Sequence, residues 1–150
     1  MDPIETLLQK DRIIGIINDL FVGTDHRDWE KVKRCFADSV LFDMTSLAGG
    51  APAMMTPQQI ADAWDRGLIA VKALHHQTGN FEVAVDGPGA AAHCYGVAWH
   101  YLPNDTNRNT RTFVGTYDFH LKKSGASWRI DRFKYNLKFI DGNPDLEAGL

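Results

Sequence analysis

Between Glu5 and Gly23 the apolar residues Ile13, Ile16, Ile17, Leu20 and Phe21 recur at three- and four-residue spacing, which places them on one stripe of a helix. Gly23-Thr24-Asp25-His26-Arg27 breaks the pattern. Trp29, Val32 and Phe36 then resume it at i, i+3 and i+7, with Asp28 placed to cap a short second helix. Ser39 to Met44 reads as a brief strand, and Thr45 to Met55, with Gly49-Gly50 and Pro52, as a loop. Thr56-Pro57-Gln58-Gln59 carries three helix-start signals: a Thr N-cap, proline in the first turn, and Gln at the capping-box position. A third helix is predicted from there to about Ala70, with Ile60, Trp64 and Leu68 inward.

The texture then becomes extended. Turn clusters divide the remainder into strand segments Leu74–Val85, Ala90–Leu102, Thr110–Lys122 and Trp128–Ile140. Helices followed by a meander indicate an α+β fold, and strands this long bend, so the sheet can wrap around the helices and enclose a cavity. In the third segment Phe113, Gly115, Tyr117, Phe119 and Leu121 share one parity and should face inward. In the fourth, Trp128 and Ile130 share one parity and Phe133, Tyr135, Leu137 and Phe139 the other, which predicts a β-bulge at Asp131-Arg132. The second segment is apolar on both faces. Cys94, Gly96 and Ala98 are expected inside, and Tyr95, Val97 and Trp99 against a partner subunit.

Composition narrows the function classes. At 150 residues, 44% hydrophobic, the chain matches a single domain, residues 1–150, that can bury a core without disulfides. Sixteen Lys and Arg are scattered against nineteen Asp and Glu, for a net charge of −3, which argues against nucleic acid as a partner. No apolar run approaches the roughly 20 residues of a membrane span, and the N-terminus lacks a signal-peptide pattern, so a cytoplasmic protein with no membrane partner and with reduced Cys35 and Cys94 is expected.

Six histidines, at 26, 75, 76, 93, 100 and 120, are the candidates for chemistry. His75 and His76 are adjacent, so on a strand they point to opposite faces and cannot chelate one ion together. No chelating spacing, nucleophile elbow or phosphate-binding glycine loop occurs, and neither a metal nor another cofactor is expected. His93, His120 and His26 read as surface residues. Asp25 reads either as a turn aspartate or as a functional carboxylate, and His76 and His100 either as satisfied core histidines or as pocket groups. Asp118 and Asp131 fall on the outer parity, which leaves no strand-borne aspartate base of the ketosteroid isomerase type.

Thr24-Asp25-His26-Arg27-Asp28-Trp29, Leu41-Phe42-Asp43, Trp128-Arg129-Ile130 and Ile140-Asp141-Gly142-Asn143-Pro144, in this order of elements, resemble the SnoaL-like branch of the nuclear transport factor 2-like superfamily. The resemblance implies a cone-shaped barrel of three N-terminal helices packed in a strongly curved, mostly antiparallel sheet. It also implies a pocket open at one end and a homodimer through the outer sheet face. The site pattern is most similar to scytalone dehydratase and hexachlorocyclohexane dehydrochlorinase, which implies an Asp–His dyad at Asp25 and His76 and a second pocket histidine at His100.

Thr24 and Met44 stand where the dehydratase has tyrosines, and Gly115 and Tyr117 where it has serine and asparagine. The basic pocket residues of the dehydrochlorinase map near Leu20 and Phe133. The expected activity is proton abstraction by His76 from a small, mostly apolar, cyclic substrate in a lyase or isomerase. His100 or Tyr117 would serve the oxygen that gains charge. Phe21, Thr24, Met44, Met54, Met55, Trp64, Phe113, Gly115, Tyr117, Phe133 and Tyr135 would line the pocket. The alternative is a non-catalytic binder of a hydrophobic ligand, or a dimeric scaffold.

Overall fold

In the computed structural model, which describes residues 1–148 and 150, the first helix, α1, spans Pro3–Asp25. It starts where the Asp2 carboxylate accepts from the N–H groups of Ile4 (2.8 Å) and Glu5 (2.9 Å), satisfying donors that have no partner inside the helix. Its stripe of Ile13, Ile17, Leu20 and Phe21 is buried. Each such side chain is worth about 1.5–3 kcal/mol relative to exposure. The helix runs two residues past the predicted break, so Asp25 is its last residue rather than part of a loop. The chain reverses at Arg27, with φ 53°, and Asp28 caps α2 (Trp29–Arg34) by accepting from Lys31 N–H at 3.1 Å.

Phe36 does not lie on this helix. It opens β1 (Phe36–Asp43), because a residue that points into the same core satisfies either period. The predicted loop contains two further elements. The Asp43 carboxylate accepts from the N–H (3.0 Å) and hydroxyl (2.7 Å) of Thr45 and starts the short helix α3 (Thr45–Ala48). Gly49 and Gly50, both at positive φ, end it before β2 (Ala53–Met55). The capping box at Thr56 and Gln59 forms as predicted and starts α4 (Pro57–Leu68), two residues shorter than expected.

Four long strands follow: β3 (Ala73–Asp86), β4 (Gly89–Tyr101), β5 (Thr110–Ser124) and β6 (Ser127–Gly142). The sheet order is β2-β1-β6-β5-β4-β3, with β1 parallel to β6 and every other pair antiparallel. The sheet curves around the helices but does not close. The expected barrel is therefore an open cone, with β2 and β3 as free edges.

Asp131 is bulged out of the β5–β6 ladder, since His120 pairs with Arg132 and Leu121 with Ile130. A second bulge at Lys138, between Val114↔Phe139 and Gly115↔Leu137, turns Phe139 outward and leaves it 54% exposed. This corrects its expected inward parity: one extra residue flips every side chain that follows it.

The helices fill one end of the curved sheet. Trp128, Ile130, Leu121, Val32 and Phe36 close that end with the α1 stripe, and Trp128 Nε1 donates to Gln9 Oε1 at 2.7 Å, both side chains fully enclosed. Higher up, Tyr117 lies over Gly96 and Tyr135 over Gly115. A Cβ at Gly96 would stand 2.3 Å from Tyr117 Cε2, and one at Gly115 2.8 Å from the Tyr135 hydroxyl. Glycine at these two positions lets large rings lie flat along the concave face.

Candidate active site

The helices do not fill the other end. There a cavity of about 200 Å³ is lined by residues of α1, α3, α4 and five neighbouring strands or strand ends, including Phe21, Met44, Trp64, Phe113, Tyr117 and Phe133. Its wall is apolar apart from a few convergent groups, the usual construction of a small-molecule site. The chief polar feature is built where the end of α1 meets the start of β3. Asp25 Oδ1 lies 2.6 Å from His76 Nδ1, and Asp25 Oδ2 accepts from the His76 backbone N–H at 2.9 Å. Both carboxylate oxygens therefore hold one residue, fixing the backbone and the ring together. The His76 ring stacks on Phe21, with centroids 5.2 Å apart. Because Nδ1 faces the carboxylate, it carries a proton, so that in the neutral ring the lone pair is on Nε2, which makes no hydrogen bond among the described residues.

Burial sets this pair apart from others of the same chemistry. His93–Asp118 (2.7 Å) and His120–Asp131 (2.6 Å) are equally close, but they lie on the convex face. Side-chain exposure is 12% for His76 and 14% for Asp25, against 34% and 50% for His93 and Asp118. A hydrogen bond gains electrostatic strength where water is excluded. His75 faces outward against Trp99, as strand alternation requires.

His100 lies on β4, on the same concave face, and lines the cavity. Its ring packs on Phe113, and Arg111 Nη2 donates to its Nδ1 at 2.9 Å. Burial, with the positive charge of Arg111 and the neighbouring His76 adding to it, pulls its pKa down to about 4, so the ring is neutral near neutral pH. Burial raises Tyr117 far above the ordinary phenol range and pushes Tyr135 up to about 12, so both hydroxyls stay protonated. The Tyr135 hydroxyl is buried and has no partner among the described residues. Burial also pushes the thiols of Cys35 and Cys94 up to about 12, and neither is in a disulfide.

Asp25, His76 and His100 thus come together, and Phe21, Thr24, Met44, Trp64, Phe113, Tyr117, Phe133 and Tyr135 surround them. The Thr24 hydroxyl is spent within α1, donating to Leu20 O at 2.8 Å. Three expected pocket residues are elsewhere. Met54 is 60% exposed on the edge strand β2, and Gly115 lies beneath Tyr135 rather than at the cavity surface. Met55, on the same strand, packs against the core and does not line the cavity.

Leu47, Ala63, Gly67, Leu68 and Ala98 complete the wall. The α4 members were readable: Ile60, Ala63, Trp64, Gly67 and Leu68 form an i, i+3, i+4, i+7, i+8 stripe whose small members make room. Arg27 is a positioning residue that the sequence pattern missed. Its guanidinium donates to the carbonyls of Leu68 (3.1 Å) and Val71, tying the end of α1 to the segment that leads into β3.

Among the described residues, no helix is long and apolar enough to cross a membrane. No match to this chain is found among curated proteins. Solved structures share its fold. The Kfla4162 protein from Kribbella flavida superposes with a TM-score of 0.87 at 21% identity, covering 91% of this chain and 95% of that one. A candidate scytalone dehydratase from Novosphingobium aromaticivorans DSM 12444 gives 0.79 at 14% identity, over 92% of this chain and 89% of its own. The hexachlorocyclohexane dehydrochlorinase LinA-type3 from Novosphingobium barchaimii LL02 also gives 0.79, at 11% identity, covering 99% of this chain and 97% of that one. These likenesses show a nuclear transport factor 2-like cone. The family model of the SnoaL-like domain matches residues 5–134, and the chain belongs to that family.

Proposed function

We propose that this protein is a cofactor-independent lyase or isomerase in which His76, oriented by Asp25, removes a proton from a carbon of a small, mostly apolar cyclic compound. The observation that carries this reading is the 2.6 Å Asp25–His76 contact at the wall of an apolar cavity, with Nε2 left free. The carboxylate fixes the tautomer and stabilises the imidazolium formed when Nε2 takes the proton. A base positioned in this way is worth about 10²–10⁴-fold.

The electron pair of the broken C–H bond passes into a new C=C bond or an enolate. His100 and Tyr117, both neutral donors, hydrogen-bond the oxygen that gains negative charge. In an elimination, the leaving hydroxyl departs as water on taking the proton back from His76. A cavity of about 150 Å³ holds benzene, so one of about 200 Å³ suits a single substituted ring. The unpaired Nε2 facing an open apolar cavity, which a purely structural tie between α1 and β3 does not need, favours the enzyme over a scaffold.

Proton exchange at the α-carbon of cyclic ketones in D2O, followed by NMR, tests the chemistry without knowledge of the natural substrate. Asp25→Asn and His76→Ala should each lose about 10²–10⁴-fold in exchange rate while keeping the wild-type circular dichroism spectrum. Undiminished exchange in either variant rejects the dyad.

The outer sheet face fits the expected homodimer. Tyr95 (47% exposed) and Phe139 (54%) stand with Val97, Trp99 and Val114 on the convex side, and Lys138 Nζ lies 4.4 Å from the Tyr95 ring centroid. A second copy of this chain is the proposed occupant.

A further inference from the structure

The contact between His100 and Arg111 has a direction. A guanidinium has five donors and no acceptor, so where Arg111 Nη2 lies 2.9 Å from His100 Nδ1, the imidazole nitrogen accepts. The single proton of the neutral ring must then be on Nε2. Arg111 is itself held. Its Nη1 donates to Glu147 Oε2 at 2.8 Å and its Nη2 to Glu147 Oε1 at 2.7 Å, the bidentate fork that orients a guanidinium most tightly. Its charge also lies 5.4 Å from the Phe113 ring centroid, the ring on which His100 packs.

The anchor is in the C-terminal segment, which is fastened in turn. Asn143 N–H donates to Thr110 O (2.8 Å), Asn143 Nδ2 to Arg108 O (3.0 Å), and Leu146 is buried. The charged and titratable groups facing His100 are therefore Arg111 from β5, Glu147 from the C-terminal turn, His76 from β3 and Asp25 from α1.

We propose that Arg111, locked by Glu147, is a positioning residue that fixes His100 as an Nε2–H hydrogen-bond donor, so that the cavity presents one histidine as acceptor and another as donor. It rests on the reading of His76 as the base and assigns the opposite role to His100. Two neutral imidazoles on one face are chemically alike until their Nδ1 partners differ. A carboxylate at Nδ1 leaves His76 with a lone pair at Nε2, and a guanidinium at Nδ1 leaves His100 with an N–H there. With its charge matched by Glu147, Arg111 gives His100 a fixed tautomer without leaving a free cation at the cavity. A site of this kind donates to the oxygen of a neutral ketone or alcohol.

Histidine ring ¹⁵N NMR on the ligand-free protein reads the tautomer directly, with His100 assigned by its absence in His100→Gln. The wild type should show His100 as the Nε2–H tautomer alone near neutral pH, and the ring should stay unprotonated through the range where an ordinary imidazole titrates. In Arg111→Met the two tautomers should mix, and the protonation midpoint should rise toward that of an ordinary histidine. Should that variant not fold, Glu147→Gln, whose parent side chain is 32% exposed, takes its place: the unlocked guanidinium should let the tautomers mix, while loss of the Glu147 charge, which raises the His100 pKa, should move the protonation midpoint down rather than up. A wild-type ring protonated on Nδ1, or a pure Nε2–H form that persists in the folded variant, overturns the proposal. No turnover is measured, so failure of the His76 base would leave this result standing, and the converse also holds.

Discussion

Acidification should remove stability through His100 at a higher pH than through Glu147, Asp43 or Asp118. The ring is 8% exposed, and its pKa falls to about 4 from the ordinary 6.5, chiefly by burial. The unfolded chain takes up a proton on this residue below pH 6.5, and the folded chain refuses it until about 4, so stability is lost as pH falls through that window. At about 1.4 kcal/mol per pH unit the full loss is about 3 kcal/mol, and by about pH 5 it is about 2 kcal/mol.

Glu147, Asp43 and Asp118 lie below their ordinary ranges because they accept hydrogen bonds from Arg111, Thr45, and His93 with Asn136. Their stabilisation is intact above the unfolded carboxylate range and disappears only as pH falls below it, so the higher window belongs to histidine. Urea denaturation of wild type and His100→Gln at about pH 7.5 and about pH 5 isolates the effect, since groups common to both cancel. The wild type should lose about 2 kcal/mol more than the variant between the two conditions. Equal losses would mean that the folded protein protonates His100 as readily as the unfolded one, and would refute its desolvation.

Gly115→Ala should destabilise by about 1–3 kcal/mol, the range for overpacking, because the new Cβ would meet the backbone oxygen of Asn136 at 2.3 Å. Gly15→Ala, at an exposed position of α1 with nothing within 4 Å, should stabilise by about 0.5–1 kcal/mol. Thermal melts showing the same sign for both would refute the steric account. Gln9→Leu removes the acceptor of the buried Trp128 N–H and should destabilise by about 1–3 kcal/mol in urea titration; a neutral result would mean that the indole finds another partner. Trp99→Glu, on the convex face beside His75, should convert a dimer to a monomer in light scattering, and an unchanged dimer mass would place the interface elsewhere.

Much of this protein was legible in its sequence. The α1 stripe, the capping box of α4, the four long strands and the bulge at Asp131 all follow from local rules: periodicity, cap chemistry and parity act within a few residues. The opposite facing of His75 and His76 follows from strand alternation alone. Where local rules are degenerate, the sequence misleads. Phe36 suits helix and strand equally, and the bulge at Lys138 carries no compositional mark, so Phe139 was expected inside and lies outside.

The site itself belongs to the tertiary structure. Asp25 and His76 are 51 residues apart, Arg111 and Glu147 36 apart, and no local pattern sets a distance between them. Arg111 shares the odd parity of Phe113 and Tyr117 but was not singled out, and nothing in the sequence names Glu147 as its anchor. Among the described residues three His–carboxylate pairs of nearly equal length form, and the curvature of the sheet decides which one is shielded from water beside a cavity. The sequence by itself determined which side chains face the concave side as far as the second bulge of β6, because strand alternation is a local rule. The fold decided which of them meet, and so which imidazole accepts a proton and which one donates a hydrogen bond.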